Sequence, residues 1–174
     1  GVKASHCTQE RVNDFFIVMD RLSSTLTDKI AHWKREMSRI ATSSPFARRK
    51  SLEAVKKNEL FVGRLRVAYD VACVIAYLHQ ERIVYRDLKP DNIGFNVEDK
   101  CKLFDFGMAR RLPTDPKKKR ANDTYVMSGK TGSLPLMAFE VWKGEPYNQK
   151  VDVYSFAILL WMVLTLEMPY IDLA

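Results

Sequence analysis

Two short polar motifs in the second half of the chain constrain its structure more than any other feature. The first reads Tyr-Arg-Asp-Leu-Lys-Pro-Asp-Asn over residues 85–92, and the second reads Asp-Phe-Gly over residues 105–107. Asp87 is a carboxylate that can take a proton from a hydroxyl group, and Lys89 can balance phosphate charge. Asn92 and the aspartate of the second motif offer the hard oxygen ligands that Mg²⁺ prefers. Together, these residue types offer a proton acceptor, a cation and oxygen ligands for a metal ion.

These motifs resemble the catalytic loop and the metal-binding segment of eukaryotic protein kinases. Lys89 favours the serine/threonine type, because tyrosine kinases usually carry alanine at that place, and the chain resembles the tyrosine-kinase-like group. Tyr85 replaces the commoner histidine, as in some active kinase groups, and we expect it to pack against Phe106. The resemblance implies an α+β, protein-kinase-like fold: a mainly helical C-lobe with the hinge and a remnant of the N-lobe sheet.

The resemblance also assigns roles to single residues. Asp87 and Lys89 are the implied catalytic residues, of which Asp87 would accept the hydroxyl proton of a protein substrate with a serine or threonine acceptor. Asn92 and Asp105 are the implied metal ligands. The implied cofactors are ATP and Mg²⁺, and the residues that would bind them are Met19, Asp20, Leu22, Lys89, Asn92, Gly94 and Asp105. A surface charge or a turn former is the alternative for each residue, and the whole constellation argues against it.

The adenine site is expected near the start of the chain. Residues 15–19 are rich in β-branched and aromatic side chains, as in a buried strand, and the following residues break that pattern. By resemblance, Met19 is the gatekeeper, and Asp20 and Leu22 offer backbone groups to adenine. Gly94 would lie under adenine, where a large aliphatic side chain is usual, so we expect a gap or a roomier pocket there.

The resemblance divides the chain into two parts. Residues 1–22 would contain the N-lobe remnant and the hinge, and residues 23–174 a partial C-lobe. Residues 34–57 are rich in basic side chains and contain the loop-forming Thr42-Ser43-Ser44-Pro45, so we expect a partly flexible basic insertion there. Residues 105–140 would form the activation segment.

Apolar patterns predict two helices and one hairpin. Over residues 59–80, apolar side chains recur at spacings of three and four, which predicts a long amphipathic helix whose inner face carries Phe61, Leu65, Ala68, Ala72 and Ile75. Residues 153–166 form an apolar run too short to cross a bilayer, and we expect a buried core helix that includes Trp161. Residues 95–97 and 101–104 flank a polar turn and predict a hairpin that leads into Asp105.

Further predictions concern the activation segment. By resemblance, Thr131 would bridge Asp87 and Lys89. Arg86 would pair with a phosphate that an upstream kinase adds to the segment, and the candidate acceptors are Thr124, Tyr125 and Ser128. The substrate-docking loop departs from the family, which often has Arg, Tyr and Pro at the positions of Pro135, Leu136 and Phe139.

Asp152 opens the apolar helix of residues 153–166 and has two predicted roles. By resemblance, it would bond to the backbone of the catalytic loop. An aspartate at that place is also typical of a helix N-cap. The two roles are compatible.

Composition bounds the partners and the compartment. Lys and Arg number 28 against 21 Asp and Glu, and the net charge of +7 suits anionic ligands. Residues 116–120 read Pro-Lys-Lys-Lys-Arg, which is typical of a nuclear import signal or of a solvated loop. We expect a cytoplasmic protein, with nuclear import as the alternative. We expect no nucleic acid partner. The three cysteines lack metal-ligand spacing and predict free thiols in a reducing compartment. No secretory signal and no membrane span is predicted.

The resemblance covers the chain from about Phe15 onward, and no glycine-rich phosphate loop or strand lysine precedes the hinge. We therefore expect a partial domain, lacking most of the N-lobe and the last C-lobe helices, that is inactive alone and leaves an apolar patch exposed. The full-length parent would phosphorylate serine and threonine residues in proteins. A pseudokinase or scaffold that acts through binding is the alternative.

Overall fold

The computed structural model describes residues 21–42 and 47–170. The predicted strand over residues 15–19, with Met19 and Asp20, lies outside these ranges. The described part is mainly helical and contains two small antiparallel sheets, which confirms the α+β class. Within it, no helix is both long and apolar enough to cross a membrane.

Helix α1 (Leu26–Ala41) begins at a capping box that follows the short strand β1 (Ser24–Thr25). Asp28 N donates to Thr25 Oγ1 at 3.3 Å, and Thr25 N donates to Asp28 Oδ2 at 2.8 Å. This reciprocal pair satisfies two of the amide groups that a helix leaves without partners in its first turn. The cap therefore fixes the residue at which α1 begins.

The basic segment of residues 34–57 is helical where the structure describes it. Helix α1 continues to Ala41, and helix α2 (Ala47–Gln80) begins after residues 43–46. Apart from the Thr-Ser-Ser-Pro stretch, the segment is rich in Arg, Lys, Glu, Met and Ala, which have high helix propensity. The described residues therefore form helices where a loop was expected, because their helix propensity outweighs the charge that had suggested a loop. That the segment is an insertion stays a prediction.

Helix α2 confirms the predicted long helix but packs through a different face. Ala68 and Ile75 are buried as expected, whereas Phe61 is 42% and Leu65 is 41% exposed. The helix carries apolar side chains on several faces, so their spacing alone could not identify the face that packs against the rest of the domain. The buried apolar side chains of α2 are those of Val67, Ala68, Val71, Ile75 and Leu78.

Two small sheets frame the catalytic motif. In the first, the order is β1–β3–β4, and strands β3 (Ile93–Phe95) and β4 (Cys101–Leu103) form the predicted hairpin. Asn96 Oδ1 closes its turn by accepting hydrogen bonds from Glu98 N at 3.1 Å and Lys100 N at 2.9 Å. In the second sheet, β2 (Ile83–Val84) pairs with β5 (Arg110–Arg111).

Two clusters of buried side chains meet at the start of the catalytic motif. The larger one joins α1, α2 and β3 to helix α4 (Lys150–Thr165) and includes Tyr85 and Leu88. The smaller one joins Val84 to helix α3 (Phe139–Lys143) and the first turn of α4. Because Val84 and Tyr85 belong to different clusters, the backbone at the start of the motif is packed from two sides.

Helix α4 is buried on one face only. Leu159 and Val163 are fully buried, whereas Val153 is 53% and Trp161 is 41% exposed. The prediction that Trp161 belongs to the core was wrong, because the described part of the chain covers only the face of α4 that packs against α2 and the turn of residues 134–136. The expected exposed apolar patch is present on the opposite face.

Candidate active site

Asp152 anchors the catalytic loop to α4. Its two carboxylate oxygens accept hydrogen bonds from Tyr85 N and Arg86 N, both at 2.8 Å, and His79 Nε2 lies 2.9 Å from Oδ2. Asp152 is fully buried, and Gln149, not Asp152, occupies the N-cap position of the helix. The predicted bond to the catalytic loop is therefore confirmed, and the N-cap interpretation was wrong.

The anchored loop brings two donors to the Asp87 carboxylate. Lys89 Nζ and Asn92 Nδ2 each donate to Asp87 Oδ2 at 2.9 Å, and Asn92 Nδ2 also lies 3.0 Å from the Asp87 carbonyl oxygen. Asp87 is 8% exposed and Asn92 is 4% exposed. The structure therefore brings together three of the residues that the sequence had singled out.

Ser133, rather than Thr131, reaches the Asp87 carboxylate. Ser133 Oγ donates to Asp87 Oδ1 at 3.0 Å, whereas Thr131 Oγ1 bonds to carbonyl oxygens of its own turn at 3.1 and 3.3 Å. Between them, Gly132 has a φ of +100°, and a Cβ at this position would collide with the carbonyl oxygen of Arg86. The prediction for Thr131 was wrong because this glycine turn directs the second hydroxyl of the Thr-Gly-Ser run toward Asp87.

Tyr85 packs as predicted against Phe106. The ring centroids lie 5.4 Å apart at 75°, an edge-to-face contact, and the Tyr85 hydroxyl donates to the carbonyl oxygen of Phe104. Burial raises the pKa of the Tyr85 phenol well above its usual range, so the group stays a neutral donor. Tyr85 thus connects the catalytic loop to the residue that precedes Asp105.

Asp105 lies at the open edge of the site. Phe104 N donates to Asn92 O at 3.1 Å, which places the following residue, Asp105, beside the catalytic loop. Asp105 has a φ of +56° and an exposed side chain, and its Oδ1 accepts a hydrogen bond from Gly107 N at 3.2 Å. The second motif is therefore adjacent to the first but is bonded mainly to itself.

The oxygen atoms at this edge fit Mg²⁺. Because the amide nitrogen of Asn92 donates to Asp87, the Asn92 side-chain oxygen is the atom that can act as a ligand, together with the Asp105 carboxylate. In the described ranges, no cluster of three His, Cys, Asp or Glu side chains could hold a metal ion alone. Mg²⁺ is commonly bound by one or two protein oxygens, with water and phosphate oxygens completing the shell.

Leu22 and Gly94 meet at the expected adenine site. A Cβ on Gly94 would collide with Leu22 Cδ1, so the Leu22 side chain fills the space that the glycine leaves. The gap predicted at Gly94 is therefore closed by the partly buried Leu22. Met19 and Asp20 fall outside the described residues.

Arg86 of the first motif contacts the predicted activation segment. Its Nε donates to Met108 O at 2.6 Å, and its Nη1 donates to Ser128 Oγ at 2.7 Å and to the Tyr147 hydroxyl at 2.9 Å. Among the predicted phosphate acceptors, Ser128 is exposed and contacts Arg86, whereas Tyr125 is buried. Sequence analysis had not identified Tyr147, because a tyrosine in that position carries no motif of its own.

The chain is similar to several serine/threonine kinases over about two thirds of its length. It is 42% identical over 105 residues to the mitogen-activated protein kinase kinase kinase dlk-1 of Caenorhabditis briggsae, covering 60% of this chain and 11% of that protein. It is 41% identical over 106 residues to the serine/threonine-protein kinase STY17 of Arabidopsis thaliana, covering 61% of this chain and 17% of that protein.

A third relative is the proto-oncogene serine/threonine-protein kinase mos of Mus musculus. It is 36% identical over 115 residues, which are 66% of this chain and 32% of that protein. The chain therefore spans less than a third of the length of each of these three relatives. The family model of the protein kinase domain matches residues 9–173, which include the whole site described above. The chain belongs to the protein kinase domain family.

Proposed function

We propose that the protein carrying this chain transfers the terminal phosphoryl group of ATP to serine and threonine hydroxyl groups of proteins. The observation that carries the proposal is the Asp87 carboxylate, held by Lys89, Asn92 and Ser133 at 2.9–3.0 Å. Such fixed bonds orient the carboxylate toward one side, where a substrate hydroxyl can donate to it. Positioning and charge balance are the main demands of phosphoryl transfer.

In the proposed reaction, Asp87 accepts the proton of the attacking hydroxyl while the new bond between oxygen and phosphorus forms. The bond between the terminal phosphorus and the bridging oxygen of ATP breaks, and ADP leaves with that oxygen. Lys89 balances the charge that develops on the transferred group. Asn92 and Asp105 would hold Mg²⁺, which neutralises phosphate charge when bound.

A phosphotransfer assay with the full-length protein tests this proposal. With ATP, Mg²⁺ and a generic protein substrate, we expect phosphoserine and phosphothreonine, and no product after chelation of Mg²⁺. Lys89→Ala should lower turnover on the order of a hundredfold, because it removes one fixed charge at the transferred group. Lys100→Ala is the matched control, since Lys100 is exposed in the hairpin turn and pairs with Glu98. Equal turnover in both variants would refute the assigned role.

Binding without catalysis is the second candidate function. Two observations favour it: Leu22 occupies the space beside Gly94, and the unusual loop residues Pro135 and Phe139 are exposed. A scaffold of this kind would give no phosphorylated product while its docking surfaces remain intact. Magnesium-dependent nucleotide binding without phosphotransfer, in the full-length protein, would support this candidate over catalysis.

We further propose that an upstream kinase phosphorylates Ser128. A phosphate on this exposed hydroxyl would lie next to the Arg86 guanidinium, which already contacts Ser128 Oγ at 2.7 Å, and charge-assisted bonds would then order the segment. Ser128→Ala should lower the activity of protein purified from cells. Thr124→Ala is the control, because Thr124 Oγ1 bonds to the carbonyl oxygen of Ala121 instead.

For localisation, we propose the cytoplasm, with nuclear import through residues 116–120 as the alternative. The side chains of Lys117, Lys118, Lys119 and Arg120 are exposed, and Lys119 Nζ pairs with Asp123 Oδ1 at 2.8 Å. A solvated loop accounts for these contacts without an import receptor. Unchanged distribution after alanine replacement of the four basic residues would rule out the import signal.

A further inference from the structure

A basic pocket lies between the predicted activation segment and the start of α4, outside the candidate active site. Its volume is about 250 Å³, and its floor includes Leu112 and Tyr125, which are 5% and 6% exposed. Three exposed cationic side chains and one exposed carboxylate line its rim: Arg82, Lys119, Lys150 and Asp123. Because the cations outnumber the carboxylate, the pocket attracts anions.

Arg82 is held beside this pocket in an unusual backbone conformation. Its φ of +59° lies in the left-handed region that favours glycine. Its Nη2 donates to the carbonyl oxygen of Pro113 at 2.8 Å and to the Tyr125 hydroxyl at 3.1 Å. Both bonds use one terminal nitrogen, so the donors on Nη1 and Nε have no acceptor among the residues that the structure describes. The guanidinium is therefore fixed in place and keeps donors for a ligand.

The other two cations are only partly balanced. Lys119 Nζ lies 2.8 Å from Asp123 Oδ1. This bond raises the pKa of Lys119, whereas the nearby charge of Arg82 opposes the rise, so the two cations repel each other. Lys150, the first residue of α4, forms no side-chain ion pair with any residue in the described ranges. A bound anion would relieve the repulsion and give Lys150 a partner.

We propose that this pocket, named here the Arg82 pocket, binds a phosphate group, either as free phosphate or as part of a phosphorylated protein. Both sources present the same oxygen atoms. The charge of phosphate near neutral pH, about −1.5 to −2, matches the excess of cations, and guanidinium donors fit phosphate oxygens. The pocket is smaller than the roughly 300–1,000 Å³ typical of sites for small organic ligands, so it suits a single group rather than a whole nucleotide.

A phosphate in the Arg82 pocket would fasten the activation segment to the helical scaffold. Lys119 and Tyr125 belong to the segment, whereas Arg82 follows α2 and Lys150 begins α4. Tyr125 and Tyr147 also exchange backbone hydrogen bonds of 2.8 and 3.0 Å, which tie the segment to the chain just before α4. A ligand that bridges both parts stabilises the closed arrangement in proportion to its occupancy.

Titration of inorganic phosphate into the full-length protein tests the inference. Binding is followed by ³¹P NMR at constant ionic strength, and we expect saturation with a Kd of about 1 mM, as for a few charge-assisted bonds. Lys150→Gln should raise the Kd about threefold to tenfold, because it removes a cation without removing an ion pair of the described residues. Lys100→Gln is the matched control: it removes the same charge from the hairpin turn and should leave the Kd unchanged.

Arg82→Lys tests the guanidinium. It keeps the charge but loses the planar set of donors, and we expect the Kd to rise about tenfold. Since Arg82 also bonds to Pro113 and Tyr125, the variant is first checked for folding by circular dichroism. If it does not fold, Lys150→Gln decides the question alone.

Trypsin provides a readout of the activation segment itself. It cleaves after lysine and arginine, and residues 117–120 are basic and exposed. Phosphate at about ten times its Kd should slow cleavage there about tenfold in the unchanged protein, and less in Lys150→Gln. Chloride at the same ionic strength should give no such protection.

Two pools of peptides distinguish the sources of the phosphate. One pool carries phosphoserine with varied flanking residues, and the other carries unmodified serine. Phosphopeptides that bind about tenfold more tightly than inorganic phosphate, and that Lys150→Gln weakens, assign the group to a protein partner. Phosphopeptides that bind no more tightly than inorganic phosphate assign it to free phosphate.

The inference is overturned if phosphate binds no better than chloride, or if Lys150→Gln and Lys100→Gln weaken binding equally, which would indicate non-specific charge only. It does not depend on the proposed kinase function. A protein that binds phosphate in the Arg82 pocket but phosphorylates no substrate would refute the proposed function alone. A protein that phosphorylates its substrate without binding phosphate there would refute this inference alone.

Discussion

The two motifs of the site lie side by side but are held very differently. Asp87 and Asn92 are almost fully buried, and their loop is anchored through Asp152, more than sixty residues further along the chain. Asp105 and Phe106 are exposed, and the Asp105 carboxylate accepts its hydrogen bond from Gly107, two residues away. Long-range packing thus builds the half of the site to which we assign catalysis (the catalytic half), whereas local geometry shapes the half to which we assign the metal (the metal half). We infer that ligands complete the second half and not the first.

Removal of the Asp152 anchor should produce the largest change in stability. Asp152→Ala leaves the buried amides of Tyr85 and Arg86 without an acceptor, at a cost of about 1–3 kcal/mol for each. We expect the free energy of unfolding of the full-length protein to fall by several kcal/mol in chemical denaturation. The control is Asp123→Ala, which removes an exposed pair with Lys119 and should leave the midpoint almost unchanged. Similar midpoints for both variants would mean that the catalytic half is not anchored in this way.

Replacement of the two hydroxyl residues near Asp87 should separate direct from indirect contacts. Ser133→Ala removes a bond to Asp87 Oδ1, and we expect turnover to fall about threefold to tenfold, the equivalent of one hydrogen bond. Thr131→Ala should have a smaller effect, because Thr131 bonds only within its own turn among the described residues. Steady-state kinetics of the full-length protein measure both. A larger loss in Thr131→Ala would restore the contact that the sequence had suggested.

Sequence alone singled out the residues of the candidate site but not all of their neighbours. Asp87, Lys89, Asn92 and Asp105 could be recognised because their types and spacing match motifs of the protein kinase family. Ser133 was missed because two hydroxyl residues flank Gly132, and only the backbone turn decides between them. The sequence could not reveal this contact, because it depends on how the chain turns in space.

Errors of the same kind arose in the helices. Apolar residues on several faces of α2 and α4 concealed which faces were buried, so Phe61, Leu65 and Trp161 were assigned to the core although each is about 40% exposed. The hairpin was predicted, but its first strand was placed at residues 95–97 and lies two residues earlier, at Ile93–Phe95, because Asn96 belongs to the turn that its side chain closes. The basic segment of residues 34–57 was mistaken for a loop because its charge was weighed above its helix propensity.

The smallest expected effect concerns Cys101. This residue lies in β4, on the strand that leads to the exposed Asp105. Burial raises the pKa of the Cys101 thiol from about 9 to about 11. Since the thiolate is the reactive form, alkylation of Cys101 should be slow near neutral pH and rise about tenfold per pH unit. The folded protein holds the Cys101 proton more tightly than the unfolded chain does. The contribution of this thiol to the free energy of unfolding is therefore complete below pH 9 and is lost as the pH rises toward 11.

Mass spectrometry after a short alkylation pulse measures this rate for each cysteine. Cys73 is exposed on α2 and serves as the internal reference. Rapid labelling of Cys101 at neutral pH would show that strand β4 is accessible to solvent. The well-packed part of the site would then end before this strand.

A direct comparison of Asp87→Asn with Asp105→Asn tests the central claim most directly. In the full-length protein, we predict that Asp87→Asn retains magnesium-dependent ATP binding but loses turnover by about a hundredfold or more, because proton transfer is removed and the metal half is intact. Asp105→Asn should lose the magnesium-dependent part of ATP affinity itself. Normal turnover in Asp87→Asn, or unchanged magnesium dependence in Asp105→Asn, would contradict the assignment of a catalytic half and a metal half.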